Sequence, residues 1–199
     1  MPEVKEYNTL KHGRLEPGVS YARPRQELPK RVQLGDPATF VMTDFTRVAA
    51  VTMGPCATLT AANERMKASG VRLLLVTDQY NQVIGLITTT DIEGERPVQY
   101  LREVGGSRED IMLRDIMTPQ ERLEVLYYED VKRARVGDIV KTLKKVGRQH
   151  ALVVETLPDG HQRIRGIFSR TQIGRQLGVP FDSIEIANSF AEVGAALAS

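Results

Sequence analysis

The chain of 199 residues contains one cysteine, Cys56, no tryptophan and three scattered histidines, His12, His150 and His161. A lone thiol excludes an internal disulfide, and histidines without a second ligand at short spacing exclude a zinc site, so no metal is expected. Long apolar runs are also missing. The opening stretch, MPEVKEYNTLKHGRLEPG, is charged throughout where a signal peptide would be apolar, and no later run approaches the ~20 residues of a membrane span. The cytoplasm is the expected location and no membrane partner is expected. Absent too are a phosphate loop of the G-x-x-x-x-G-K type, a nucleophile elbow and a paired acid/base motif. No catalytic residue is therefore assigned, and the chain does not read as an enzyme.

Charge of one sign is scarce: 27 Lys and Arg stand against 25 Asp and Glu. Residues 1–40 hold seven basic and five acidic side chains, which leaves 20 of each in the remainder, so the whole net charge of +2 lies in the first forty residues. That segment also holds five of the ten prolines and keeps neither a helical nor a strand period. Residues 1–37 read as an extended, weakly basic arm. Arg23, Arg25, Lys30 and Arg31 around Glu27 could contact phosphate or nucleic acid, or form a solvated tail lying along the domain; the second reading is favoured and nucleic acid is not an expected partner.

From residue 41 onward the chain repeats itself. Val41-Met42-Thr43 recurs as Ile116-Met117-Thr118, each followed by an apolar strand segment, Val48 to Met53 and Leu123 to Tyr128. Next come two amphipathic helices. Leu59, Ala62 and Met66 mark one buried stripe, and Val136, Ile139, Val140, Leu143 and Val146 the other. Each helix stops at a glycine, Gly70 or Gly147, the residue that suits a left-handed cap. A strand follows in each half (Leu73 to Val76, Ala151 to Val154), then a turn, then a second strand (Val83 to Ile87, Ile164 to Phe168). Units of about 55 residues bury too little apolar surface alone, so the expected architecture is α/β: two pseudo-twofold-related repeats, each with a small three-stranded sheet and two helices. Ile186, Phe190, Val193 and Leu197 predict a C-terminal amphipathic helix within residues 180–199.

The segments Gly85 to Ile92 and Gly166 to Ile173 each end a strand in a hydroxyl residue and place a polar acceptor three positions later, at a helix start. Thr88 with Asp91, and Ser169 with Gln172, have the spacing of a capping box. A carboxylate at a helix N-terminus can also accept both hydroxyls of a ribose, with the exposed amides and the dipole favouring a nearby phosphate. Spacing alone leaves both readings open.

The doubled corner, with the segments Gly70 to Asp78 and Gly147 to Glu155 that follow the two helices and the paired Met-Thr elements, resembles tandem CBS domains, named after cystathionine beta-synthase and paired as a Bateman module. The resemblance spans about residues 38–178. It divides the chain into a first repeat (38–97), a linker (98–112) and a second repeat (113–179). It implies a regulatory module that binds AMP, ADP, ATP or S-adenosylmethionine between the repeats, works as a homodimer and modulates a partner protein. It places Asp91 on the ribose with Thr88 beside it, and the adenine against Ala49 to Val51 and Val71 to Leu73, with Arg72 close by. A second cleft would use Ser169, Gln172, Arg148, His150 and Arg170, with Gln172 supplying no charge. The alternatives are a structural dimerisation or adaptor module with vestigial clefts, and nucleic-acid binding through the arm.

Overall fold

The structure is a computed structural model that describes residues 10–11, 13–20, 22 and 24–185. The C-terminal residues 186–199, with most of the predicted last helix, lie outside this range, as do His12 and Arg23. In chain order the elements are β1 (Met42–Asp44), β2 (Thr52–Met53), α1 (Leu59–Ser69), β3 (Leu73–Thr77), β4 (Val83–Thr88), α2 (Thr89–Glu93), α3 (Arg96–Val104), α4 (Leu113–Ile116), β5 (Thr118–Pro119), β6 (Val125–Tyr127), α5 (Tyr128–Val131), α6 (Val136–Val146), β7 (His150–Thr156), β8 (Gln162–Ser169) and α7 (Arg170–Leu177).

Helix α1 starts where Thr58 Oγ1 accepts the Ala61 amide and ends at Gly70, whose φ of 65° lets its amide close on Met66 and Lys67 carbonyls. Leu59, Ala62 and Met66 are its buried face. Helix α6 follows the same rules: the Asp138 carboxylate accepts the Arg135 amide at 2.8 Å, and Gly147 caps the end at φ 66°. Val136, Ile139, Val140 and Leu143 are buried, each contributing roughly 1.5–3 kcal/mol. Val146, the last residue of α6, is 45% exposed and so leaves the buried stripe.

Two mixed sheets result, ordered β2-β3-β4-β5 and β1-β8-β7-β6. Within each, a short strand runs parallel to the strand after the helix, and the hairpin strand is antiparallel to it. Each sheet has four strands rather than the expected three, and the fourth comes from the other repeat. Strand β1, which leads the first repeat, pairs with β8 (Met42 opposite Phe168, Asp44 opposite Gly166); β5, which leads the second, pairs with β4 (Leu86 opposite Thr118). The glycine of each corner motif permits this exchange. A Cβ on Gly85 would stand 2.7 Å from the Thr118 carbonyl oxygen, and one on Gly166 would collide with that of Thr43.

One apolar cluster lies under α1 and another under α6. A third, built on Leu73, Leu75 and Leu152, fills the space between the two sheets. An ion pair fastens the exchanged strand: Arg165 grips Asp44 through Nε (2.8 Å) and Nη2 (3.0 Å), gives its remaining nitrogen to Glu155 (2.9 Å) and lies over the Tyr128 ring at 4.5 Å. Burial alone would raise the Asp44 pKa, but hydrogen bonds from Arg165 and Thr46 hold it down at about 2.

The later part of the expected arm lies along the second repeat. Gln26 bonds the backbone of Met42 and Asp44, the Val32 amide donates to Gln176 O, and Gln176 Nε2 donates to Pro29 O and Phe40 O. Val32 is buried with Phe181 and Ile184 in the second core.

Candidate functional site

Between the repeats lies a cleft of about 410 Å³. One wall is backbone of the first repeat that precedes two of its strands. Of the apolar run Val48 to Met53, only Thr52–Met53 is strand; Ala49, Ala50 and Val51 are irregular and line the cleft, tied to β3 by the Leu75 amide donating to Val51 O at 3.1 Å. Val71, Arg72 and Leu73, which follow the left-handed Gly70, complete that wall. The opposite wall is the β8–α7 corner of the second repeat: Ser169, Thr171, Gln172 and Arg175. Thr43 of the exchanged strand, Phe45 just after it, and His150, the first residue of β7, close the cleft.

The cleft therefore joins the expected adenine-side residues Ala49, Val51, Val71, Arg72 and Leu73 to Ser169, Gln172 and His150, which the sequence reading placed in a second cleft. Thr88 and Asp91 do not line it. The strand exchange accounts for this grouping: it turns the corner of one repeat toward the apolar run of the other. Arg72 Nη1 reaches across to Thr171 Oγ1 at 3.4 Å. The two corners are held alike, since the Thr89 amide donates to Arg72 O and the Arg170 amide to Gln149 O.

At the first corner the capping box forms. Thr88 donates from both its amide (2.8 Å) and its hydroxyl (2.7 Å) to Asp91 Oδ2, and the Asp91 amide donates back to Thr88 Oγ1. The other carboxylate oxygen faces Arg96 at 3.2 Å, and Arg96 also donates to Ile116 O and Thr118 Oγ1. Asp91 thus anchors its own helix and, through Arg96, the segment that supplies the exchanged strand β5. At the second corner the same spacing forms no box: Ser169 makes no capping hydrogen bond, and the Gln172 amide donates to Gln176 Oε1. Arg148 pairs with Glu124 at 3.1 Å outside the cleft. Arg170 also points away from it, donating to Leu143 O and Asp182 and covering the Phe181 ring.

His150 Nδ1 is enclosed without a hydrogen-bond partner among the described residues. Burial, then the charge of Arg72, lowers its pKa to about 4, against a smaller opposing pull from Asp91, so the ring is neutral at pH 7. Among the described residues no carboxylate pairs with Arg72 or Arg175, and none lines the cleft. Sequence reasoning missed Thr43 and Thr171 as lining residues, although both sit in the motifs that mark the repeat. Cys56 is exposed on the loop that precedes α1. The described residues hold no cluster of metal-ligating side chains, and no helix among them is long and apolar enough to cross a membrane.

Two α/β repeats with exchanged edge strands thus enclose one shared cleft. Residues 41–95 match the family model of the CBS domain. Among solved structures, an uncharacterized conserved protein from Pyrococcus horikoshii is 19% identical, with 79% of this chain and 100% of that one covered at a TM-score of 0.51. CBSX2 of Arabidopsis thaliana in complex with AMP is 20% identical, with coverages of 71% and 95% and a TM-score of 0.50. A comparison with curated protein sequences finds no match. Residues 41–95 thus match the CBS-domain model, and the fold of the described residues is similar to that of CBSX2, a CBS-pair protein.

Proposed function

We propose that this protein is a sensor that binds an adenosine-containing ligand in the cleft between its repeats. The carrying observation is that one cleft sets an apolar, backbone-rich wall at 49–51 and 71–73 against hydroxyls, an amide and arginines from the other repeat. A flat adenine fits the first wall, and ribose and phosphate groups fit the second. The AMP complex of CBSX2, which has the same fold, supports the reading. Because the cleft has residues from both repeats, a ligand that binds one inter-repeat geometry more tightly shifts the module toward it, which is how a bound nucleotide would change the contact with a regulated partner. A cytoplasmic homodimer is part of this reading.

The engaged Asp91 favours a second reading, a structural dimerisation module that uses its corners only as caps. Isothermal titration with AMP separates the two. Saturable binding that Val71→Trp abolishes, with the circular dichroism spectrum unchanged, is expected of the sensor; no heat up to millimolar AMP, ADP, ATP or S-adenosylmethionine supports the structural module.

A further inference from the structure

The charge balance of the cleft identifies which part of an adenosine ligand is read, an inference that rests on the function proposed above. A ribose diol is held most strongly by a carboxylate, which accepts from both hydroxyls at once, whereas a phosphate is held by guanidinium groups and hydroxyl donors. This cleft has the second set and lacks the first. Arg72 and Arg175 line it, Thr171 and Ser169 add hydroxyls, and no aspartate or glutamate among the described residues lines it. Where the first corner places Asp91, the second has Gln172, whose amide is committed to Gln176. His150 brings no compensating charge, being neutral and enclosed. Arg72 is positioned by its contact with Thr171 across the cleft, and no acid pairs with it among the described residues.

We infer that the cleft recognises its ligand through the phosphate, with Arg72 and Arg175 as the clamp, and is indifferent to the ribose diol. It takes adenosine phosphates, including their 2′-deoxy forms, and discriminates against uncharged adenosine and against the sulfonium cation of S-adenosylmethionine. A hydrogen bond to a charged group contributes roughly 10- to 100-fold in affinity, so two guanidiniums on one phosphate make a preference on the order of 100-fold for AMP over adenosine.

The test is a titration of the full chain with AMP, 2′-deoxy-AMP, adenosine, S-adenosylmethionine and ribose 5-phosphate, repeated on Arg72→Gln, Arg175→Gln and Gln172→Glu, with circular dichroism confirming the fold of each. Expected are AMP and 2′-deoxy-AMP within about threefold of one another, and adenosine and S-adenosylmethionine weaker by about 100-fold. Either arginine variant should reduce that preference at least about tenfold, and Gln172→Glu should weaken AMP while making the 2′-hydroxyl matter. Adenosine or S-adenosylmethionine binding as tightly as AMP, or 2′-deoxy-AMP falling tenfold below it, overturns the inference and leaves the adenosine sensor standing. Ribose 5-phosphate binding as tightly as AMP keeps the phosphate clamp and overturns the adenine reading. Binding of none of the five overturns both.

Discussion

Lowering the pH from 7.5 to 5 should destabilise the fold through His150, by an amount that its setting fixes. In the unfolded chain its imidazole takes up a proton near pH 6.5; in the folded protein, burial beside Arg72 delays this to about pH 4. As pH falls, the unfolded state therefore binds the proton first. Stability is complete above about 6.5 and is lost progressively between 6.5 and 4. With about 1.4 kcal/mol per unit, the full displacement corresponds to about 3 kcal/mol, of which about 2 kcal/mol is gone by pH 5. Asp91, whose charge acts in the opposite sense, is already included in that displacement. Asp44 does not contribute in this range, because its pKa lies between about 2 and 3.8 in both states. The chain has no tryptophan, so urea unfolding is followed by circular dichroism at 222 nm. For a urea slope of about 2 kcal/mol per molar, the midpoint should fall by about 1 M between pH 7.5 and 5. His150→Leu, whatever its midpoint at pH 7.5, should lose most of that pH dependence. A midpoint that is flat over this range, or a slope that His150→Leu leaves intact, would refute the assignment of a neutral, enclosed imidazole.

Three further perturbations test the exchange and the corners. Asp44→Ala leaves Arg165 half-paired between the exchanged strand and β8 and should cost about 3–5 kcal/mol in urea unfolding; in the unaltered protein the contribution of this pair is lost as pH falls from 3.8 toward 2. Gly85→Ala drives a methyl group into the Thr118 carbonyl and should cost about 1–3 kcal/mol, whereas Gly54→Ala, with open space around it, should cost less than 1 kcal/mol. Asp91→Ala removes a cap and the Arg96 contact, so it should lower stability by about 1–2 kcal/mol while changing AMP affinity by less than threefold; a tenfold loss of AMP binding with unchanged stability would return Asp91 to the ligand site.

The repeat was legible because its signals are local. The stripes at 59–66 and 136–143, the caps at Gly70 and Gly147 and the Asp78 turn, where that carboxylate accepts the Tyr80 and Gln82 amides, depend on neighbours within a few residues. Strand exchange was not legible, since periodicity marks Met42–Asp44 as extended without naming its partner 124 positions away. That single unknown also divided the site. With β1 and β5 left in their own repeats, Thr88 and Asp91 belong with Ala49 and Val71; with the strands exchanged, Ser169 and Gln172 take that place. The Thr88–Asp91 box could be read from spacing, but the failure of the Ser169–Gln172 box could not. It depends on Gln176, which is itself fixed by the backbone of Pro29 and Phe40.

The central claim, that the ligand sits between the apolar run of the first repeat and the second corner, is tested most directly by amide hydrogen exchange with and without saturating AMP. Slower exchange is expected at 48–53, 70–75 and 167–175, with 88–96 unaltered. Protection confined to 88–96, or none in any of these segments while AMP is demonstrably bound, would contradict the account.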